Sequence, residues 1–229
     1  MTPPATDAKL RAAVAGPQRL DKETARDKDT HPVETLESFG LRDDATVVEL
    51  TPYRGQWTAV LAPVLAEKGH LRLAVDRLTE GPKTQESLDQ RIAKDEAHFG
   101  KPVTVMSNFG KCDVTLGPDG SADMVVSFRN MHDWMGAEVA DRVVQAVHRV
   151  LKRGGIFALT DHRAKPGAAT DPDTLSDPGG AYVPEDFMIA FVEKAGFRLS
   201  REVGDQREPE GHQRLPAGGA HAATLVRAR

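Results

Sequence analysis

The strongest constraint on this chain is an alternation that starts at residue 45 and runs to its end. Short apolar runs recur: "ATVVEL" (45–50), "HLRLAVD" (70–76), "KPVTVMS" (101–107), "ADMVVSF" (122–128), "GIFALTD" (155–161), "FRLSREV" (197–203) and "AATLVRAR" (222–229). Each has the length and composition of a buried strand. Helical patterns separate most of them. "GQWTAVLAPVLAEKG" (55–69) closes at Gly69, with Pro63 early in the helix or kinking it. "PKTQESLDQRIAKDEAHFG" (82–100) starts on a proline and stops on a glycine. Val139, Val143, Val147, Val150 and Leu151 fall at helical spacing ahead of "KRGG", and Phe187, Ala190, Phe191 and Ala195 line a helix that ends at Gly196. Alternation of this kind predicts an α/β fold: a doubly wound, mostly parallel seven-stranded sheet with helices on both faces. The last strand has an antiparallel look. In such sheets ligands bind beyond the carboxyl ends of the strands, so chemistry is expected just after each strand.

The first 30 residues read as an N-terminal arm with one or two short helices, and residues 31–229 as one domain. "HPVETLESFGL" predicts a short helix between Pro32 and Gly40. "GDQREPEGHQRLPAGGAH" (204–221) is too polar for core and reads as a surface loop or hairpin.

At 229 residues the chain is long enough for one large core. A net charge of -4, without a dense basic block, argues against nucleic acid as a partner. The single cysteine, Cys112, cannot form an internal disulfide. No apolar run approaches the roughly 18 residues of a membrane span. The expected location is the cytoplasm. An exported protein whose signal had been removed would read the same. Self-association is left open.

Ionisable residues gather at the strand ends. Glu49 closes the first apolar run, where a carboxylate needs a partner: a cationic ligand group or a nearby arginine. Gly55 follows in the turn. Asp76 closes the second run, 21 positions after Gly55, where a doubly wound fold places the acid that holds ribose hydroxyls. After the fourth run comes "RNMHDWM", with Arg129, Asn130, His132, Asp133 and Trp134; the fifth ends in Asp161, His162 and Arg163. A plain core would not collect so many ionisable groups there. His132 and His162 are candidate bases, because imidazole titrates near neutrality. Asp133 or Asp161 would orient one of them. Trp134 reads as packing or lid. No metal centre is expected, since adjacent His132 and Asp133 rarely reach one ion and no HxxxH or CxxC spacing occurs. Residues 161–187 form a long Asp-, Pro- and Gly-rich stretch expected to cover a substrate pocket, with Tyr182 at its end.

These motifs resemble a known family. "RD" at Arg26 and Asp27, "HP" at His31 and Pro32, and Thr35, Leu36, Phe39 and Gly40 are similar to the lead-in of a group of small methyltransferases of unknown substrate. Glu49, Pro52, Gly55, Trp57 and Thr58 continue the likeness, followed by "RNMHDW", "LKRGG" and "DHRA". The group lies within the class I S-adenosylmethionine-dependent methyltransferases, and the resemblance implies their Rossmann-like fold. It further implies S-adenosylmethionine as cofactor, held by Glu49, Pro52, Tyr53, Gly55, Asp76, Arg129 and Asn130. His132, His162 and Asp133 would be catalytic; Asp161, Arg163 and Tyr182 would meet a small polar acceptor. The departure lies at Tyr53 and Arg54, where the group has glycines. They are expected to narrow the cofactor site. The alternative is a methyltransferase-fold protein that has lost transfer activity and serves as a binding or regulatory module. A nicotinamide-dependent enzyme is disfavoured by the missing GxGxxG.

Overall fold

The computed structural model describes residues 2–76, 81–110, 114–165, 167–176, 182–203 and 221–228. Four helices come first: α1 (Pro4–Val14), α2 (Asp21–Thr24), α3 (Asp27–Thr30) and α4 (Pro32–Ser38). Strand β1 (Thr46–Leu50) leads to α5 (Thr58–Leu65), β2 (His70–Asp76), α6 (Gly81–Lys94), α7 (Glu96–Phe99) and β3 (Val103–Ser107). The second half runs β4 (Ala122–Phe128), α8 (Met131–Gly136), α9 (Ala140–Val150), β5 (Leu151–His162), α10 (Pro172–Ser176), α11 (Glu185–Lys194), β6 (Phe197–Val203) and β7 (His221–Ala228).

The seven strands form one sheet in the order β3-β2-β1-β4-β5-β7-β6. Strands β1 to β5 pair in parallel, and β7 runs antiparallel between β5 and β6. The chain order reverses between β1 and β4, so the carboxyl ends of those two strands flank the switch crevice where such sheets bind ligands. β1 is the central apolar strand: Val47, Val48 and Leu50 are buried because both faces of the sheet are covered. One face packs under α9, whose Val143, Val144, Val147 and Val150 recur at helical spacing and are buried with Trp134 and Phe157. The other face packs under α5 through Leu61, Val64 and Leu65. Each such aliphatic side chain contributes about 1.5–3 kcal/mol by leaving water.

The arm is tied down. Leu10 and Ala13 of α1 are buried with residues of α5 in that second layer. Helix α4 starts on Pro32 as expected.

Three boundaries differ from the sequence reading. The helix expected over 82–100 breaks at Asp95, which has φ -140° and ψ 52° and whose carboxylate takes the His98 ring N–H at 2.7 Å. Aspartate competes with the helix through such local bonds, and the break turns Phe99 into the core. β5 starts at Leu151 rather than residue 155. The register slips there, with Ala122 facing Leu151 and Met124 facing Ile156, and Gly154 at φ 77° absorbs the extra residues as a bulge. The "MHDWM" stretch, read as loop, is the helix α8. The loop read at 204–221 lies outside the described residues but for His221, which opens β7, and Cys112 lies outside them too.

Candidate active site

The turn after β1 carries three residues with positive φ: Thr51 at 50°, Tyr53 at 50° and Gly55 at 78°. A glycine is needed at 55 on two counts, because a Cβ there would also stand 2.7 Å from Leu88 Cδ1. Tyr53 pays about 1–2 kcal/mol for a left-handed backbone. The turn therefore keeps a glycine-like path although tyrosine stands in it. Arg91 of α6 holds the turn from outside. Its guanidinium donates to the carbonyl oxygens of Arg54 (2.9 Å), Gly55 (3.2 Å) and Gln18 (3.0 Å), and to the buried Glu23 carboxylate at 2.6 and 2.8 Å. Trp57 lies flat on Phe128, with centroids 3.9 Å apart, and so joins the start of α5 to the end of β4.

On the β1–β2 side, Glu49 is buried and accepts the Thr58 hydroxyl at 2.7 Å. Thr58 of α5 is thus one partner of Glu49, beside the cation or arginine expected from sequence. Asp76 is fully buried and accepts the Phe109 main-chain N–H at 2.9 Å. A cavity of about 540 Å³ opens beside it, lined by Val75, Gly81, Pro82, Gln85 and Met106 among others. Pro52 is buried in the turn.

On the β4–β5 side, Arg129 has φ 62° and donates its main-chain N–H to Thr160 O at 2.7 Å, fixing the end of β4 against β5. Asn130 is buried; its amide nitrogen donates to Leu50 O (3.3 Å) and Ser127 Oγ (3.2 Å), while its Oδ1 has no partner among the described residues. His132 donates Nδ1–H to Asp161 Oδ1 at 2.7 Å, and its main-chain N–H reaches Asp161 Oδ2 at 3.0 Å. Asp161 also accepts the His162 main-chain N–H at 2.7 Å. Because an ionised carboxylate only accepts, these bonds set the His132 tautomer and leave Nε2 as the acceptor nitrogen. That nitrogen lies 3.4 Å from Asp133 Oδ1. Burial pushes the His132 pKa down, but the Asp161 hydrogen bond and the charges of Asp161 and Asp133 outweigh it, so the imidazole titrates above its ordinary value. Asp133 is half-exposed and accepts the Tyr53 hydroxyl at 3.3 Å, which bridges the two sides.

His162 lies 5.8 Å from His132, ring to ring, and 5.3 Å from Tyr182. Val183 donates its N–H to His162 O at 3.0 Å, so the start of the segment after residue 181 is stitched to the end of β5 beside the site. Arg163 turns to Glu185 at 3.0 Å. Trp134 is fully buried against Phe109 at 5.6 Å and is a packing residue. Among the described residues no group of three metal-ligating side chains converges.

The structure thus brings Tyr53, Arg129, Asn130, His132, Asp133, Asp161, His162 and Tyr182 to one end of the sheet, with Glu49, Pro52, Gly55 and Asp76 on its β1–β2 flank. Arg163 is spent on an ion pair at the rim. Arg91 and Glu23 were not foreseen; a lone arginine on a polar helix gives no sequence signal.

This strand order, with β7 antiparallel inside an otherwise parallel run and polar groups at the switch, is the class I methyltransferase fold. A family model described as a methyltransferase domain matches residues 62–159. Over the whole chain the fold is similar to a SAM-dependent methyltransferase from Aquifex aeolicus, at 17% identity and a TM-score of 0.65, covering 97% of this chain and 98% of that one. A putative sarcosine dimethylglycine methyltransferase from Galdieria sulphuraria is similar at 14% identity and a TM-score of 0.63, covering 97% of each chain. An arsenic (III) S-adenosylmethionine methyltransferase from Chlamydomonas reinhardtii gives 19% identity and a TM-score of 0.61, covering 99% of this chain and 74% of that one. No curated protein matches the sequence. Among the described residues no helix is long and apolar enough to cross a membrane.

Proposed function

We propose that the protein transfers a methyl group from S-adenosylmethionine to a small polar molecule, with His132 as general base. The observation that carries the reading is the buried His132–Asp161 pair, set at the ends of β4 and β5 beside the switch crevice. The residues present fit the cofactor. Asn130 Oδ1 and Thr51 Oγ1 are buried without hydrogen-bond partners among the described residues, and an ammonium group supplies donors for such atoms. Asp76 stands at a cavity of about 540 Å³, within the range of small-molecule sites, where its carboxylate can accept from two ribose hydroxyls. Among proteins of similar fold, an O-methyltransferase from neocarzinostatin biosynthesis is in complex with S-adenosyl-L-homocysteine, which supports the same choice here.

The bound cofactor supplies an activated methyl group; the chain supplies alignment and proton removal. Asp161 holds the imidazole by Nδ1, so Nε2 is free to take a proton from an acceptor hydroxyl or protonated amine. Once protonated, both ring nitrogens face carboxylates, Asp161 on one side and Asp133 on the other. That arrangement favours the imidazolium as it forms. Tyr53 and Val183 bring their segments over the same end of the sheet and limit access of water.

The test is transfer of a labelled methyl group from S-adenosylmethionine into a mixture of small hydroxylated and amino metabolites. The wild type labels a product and His132→Gln loses about 10²–10⁴-fold of that rate. A wild type that binds S-adenosylhomocysteine yet labels nothing would instead be the binding or regulatory module, the reading that the bulk of Tyr53 favours.

A further inference from the structure

The proposed base and the residue after it set two acceptors side by side. Asp161 takes the Nδ1–H of His132, so Nε2 of the neutral ring carries a lone pair. Asp133 Oδ1 stands 3.4 Å from that nitrogen. A carboxylate oxygen and a ring lone pair, both without hydrogen, repel at this distance unless a donor lies against the two of them. The two side chains are held in this relation. His132 and Asp133 are consecutive residues in the first turn of α8, and the His132 main-chain N–H is bound to Asp161 Oδ2 at 3.0 Å. The Tyr53 hydroxyl donates to Asp133 Oδ2 at 3.3 Å.

Asp133 is also the carboxylate at this end of the sheet with capacity left. Asp161 already accepts two main-chain N–H groups and the imidazole, and Glu185 is paired with Arg163. Asp133 is half-exposed, and among the described residues no cation other than the His132 ring lies within ion-pair distance of it. Its bond to Tyr53 uses Oδ2 and leaves Oδ1 to another donor. A hydroxyl has one hydrogen and satisfies one of the two acceptors. An ammonium group with two or more hydrogens satisfies both, and its charge complements the carboxylate. Beyond His132 the rings of His162 and Tyr182 continue the rim at 5.8 and 5.3 Å, supplying ring surface for the carbon part of such a molecule.

We infer that His132 Nε2 and Asp133 Oδ1 together hold the nitrogen of the methyl acceptor, which is a small primary or secondary amine bound as its ammonium ion. The assignment rests on the proposed methyl-transfer reading and names its substrate class. One ammonium proton passes to Nε2 and leaves a neutral amine. The nitrogen lone pair then forms the bond to the methyl carbon, while the carbon–sulfur bond of S-adenosylmethionine breaks and its electron pair stays on sulfur as an uncharged thioether. The imidazolium is left facing Asp133 at the distance already present. The cofactor's own ammonium has separate acceptors in the buried Asn130 Oδ1 and Thr51 Oγ1, whereas Asp133 is half-exposed and stands against the base. A tertiary amine carries one hydrogen when protonated and does not bridge the pair.

The test sets three groups on one carbon frame: ethanolamine, ethylene glycol and N,N-dimethylethanolamine, and likewise benzylamine, benzyl alcohol and N,N-dimethylbenzylamine. Each is titrated into the full-length protein by calorimetry, with and without S-adenosylhomocysteine, and each is offered with labelled S-adenosylmethionine. At least one primary amine is expected to bind about tenfold or more tightly than both its alcohol and its tertiary analogue, the worth of a charge-assisted contact. Asp133→Asn keeps the shape and removes the charge. It should cancel most of that preference, with S-adenosylhomocysteine affinity within about twofold of wild type. Asp133→Ser serves if the asparagine variant does not fold, and the wild-type comparison needs no variant. The inference is overturned if no primary amine binds better than its alcohol, or if the tertiary amines bind as well as the primary ones. It is equally overturned if Asp133→Asn weakens S-adenosylhomocysteine and leaves the amine preference unchanged, which would give Asp133 to the cofactor's ammonium. Label on an alcohol and on no amine would overturn it while methyl transfer stands. Amine binding that depends on Asp133, without any labelled product, would sustain the amine site and remove the transfer reading.

Discussion

Arg91 grips Glu23 at 2.6 Å and, with the same nitrogen, the carbonyl oxygens of Arg54 and Gly55 at 2.9 and 3.2 Å. One side chain of α6 thus joins the arm to the turn after β1. Arg91→Leu leaves the nearly buried Glu23 carboxylate unpaired, and breaking a buried pair from one side costs about 3–5 kcal/mol. Urea unfolding measures the loss. Removing both partners, as Arg91→Leu with Glu23→Leu, is expected to recover most of it, because no buried charge is then left unpaired. A double variant as unstable as the single one would show that the carbonyl contacts carry the effect.

Asp76 lines the cavity at the end of β2, together with Glu86 and Asp89 of α6. Asp76→Ala is expected to weaken S-adenosylhomocysteine by about 1.5–3 kcal/mol, the worth of hydrogen bonds to a charged group. Part of any stability loss would come from the Phe109 N–H, which Asp76 also holds at 2.9 Å. Calorimetry on a folded variant with unchanged affinity would take Asp76 out of the site.

Tyr53 stands at φ 50° in the turn where the resembling group has glycine, and Arg54 beside it is exposed. Tyr53→Gly removes bulk and relieves a left-handed backbone worth about 1–2 kcal/mol. It also adds unfolded-chain entropy worth roughly 0.4–1 kcal/mol and loses the Asp133 bond. Stability should therefore stay within about 1 kcal/mol of wild type, and S-adenosylmethionine should bind more tightly. Arg54→Gly should change affinity little. Weaker binding by a folded Tyr53→Gly protein would make Tyr53 a ligand contact and end the view that it narrows the site.

His132 must be neutral to accept a proton, and its pKa lies above the ordinary histidine value. Activity is therefore expected to rise with pH through a midpoint above that value. The stability linkage has the opposite sense. A folded-state pKa above the unfolded one gives stabilisation that is complete below the unfolded pKa and lost as pH rises through the folded pKa. Asp161→Asn removes the hydrogen-bonded charge and should move the His132 midpoint down, as read by NMR titration of the ring. An unmoved midpoint would assign the shift to Asp133 instead.

The sheet could be read from the sequence because its strands are buried on both faces and so stand out as apolar runs, as in "TVVEL" and "ADMVVSF". The strand-end polar residues were equally plain, since a cluster such as "RNMHDW" has no place in a core. What stayed hidden depended on partners distant in the chain. The hydrogen bond of His132 to Asp161, 29 residues on, follows from β4 and β5 lying side by side. The hydroxyl of Thr58 as partner of Glu49 needed the entry angle of α5. The break at Asp95 and the bulge at Gly154 are decided by packing and register, which local composition does not encode.

The Arg91 junction also bears on how the chain acquires its final form. Its links to Glu23 and to the Gln18 carbonyl close loops of 68 and 73 residues. Contacts of such sequence separation carry a loop-closure cost before they return any stabilisation. The turn after β1 therefore cannot take its finished shape when β1 and α5 first form; it waits until α6 has been made and docked. During synthesis the first 30 residues emerge long before their partner does. The ligand-facing turn is in this sense a late product of folding, completed from the two ends of the first crossover rather than from its middle.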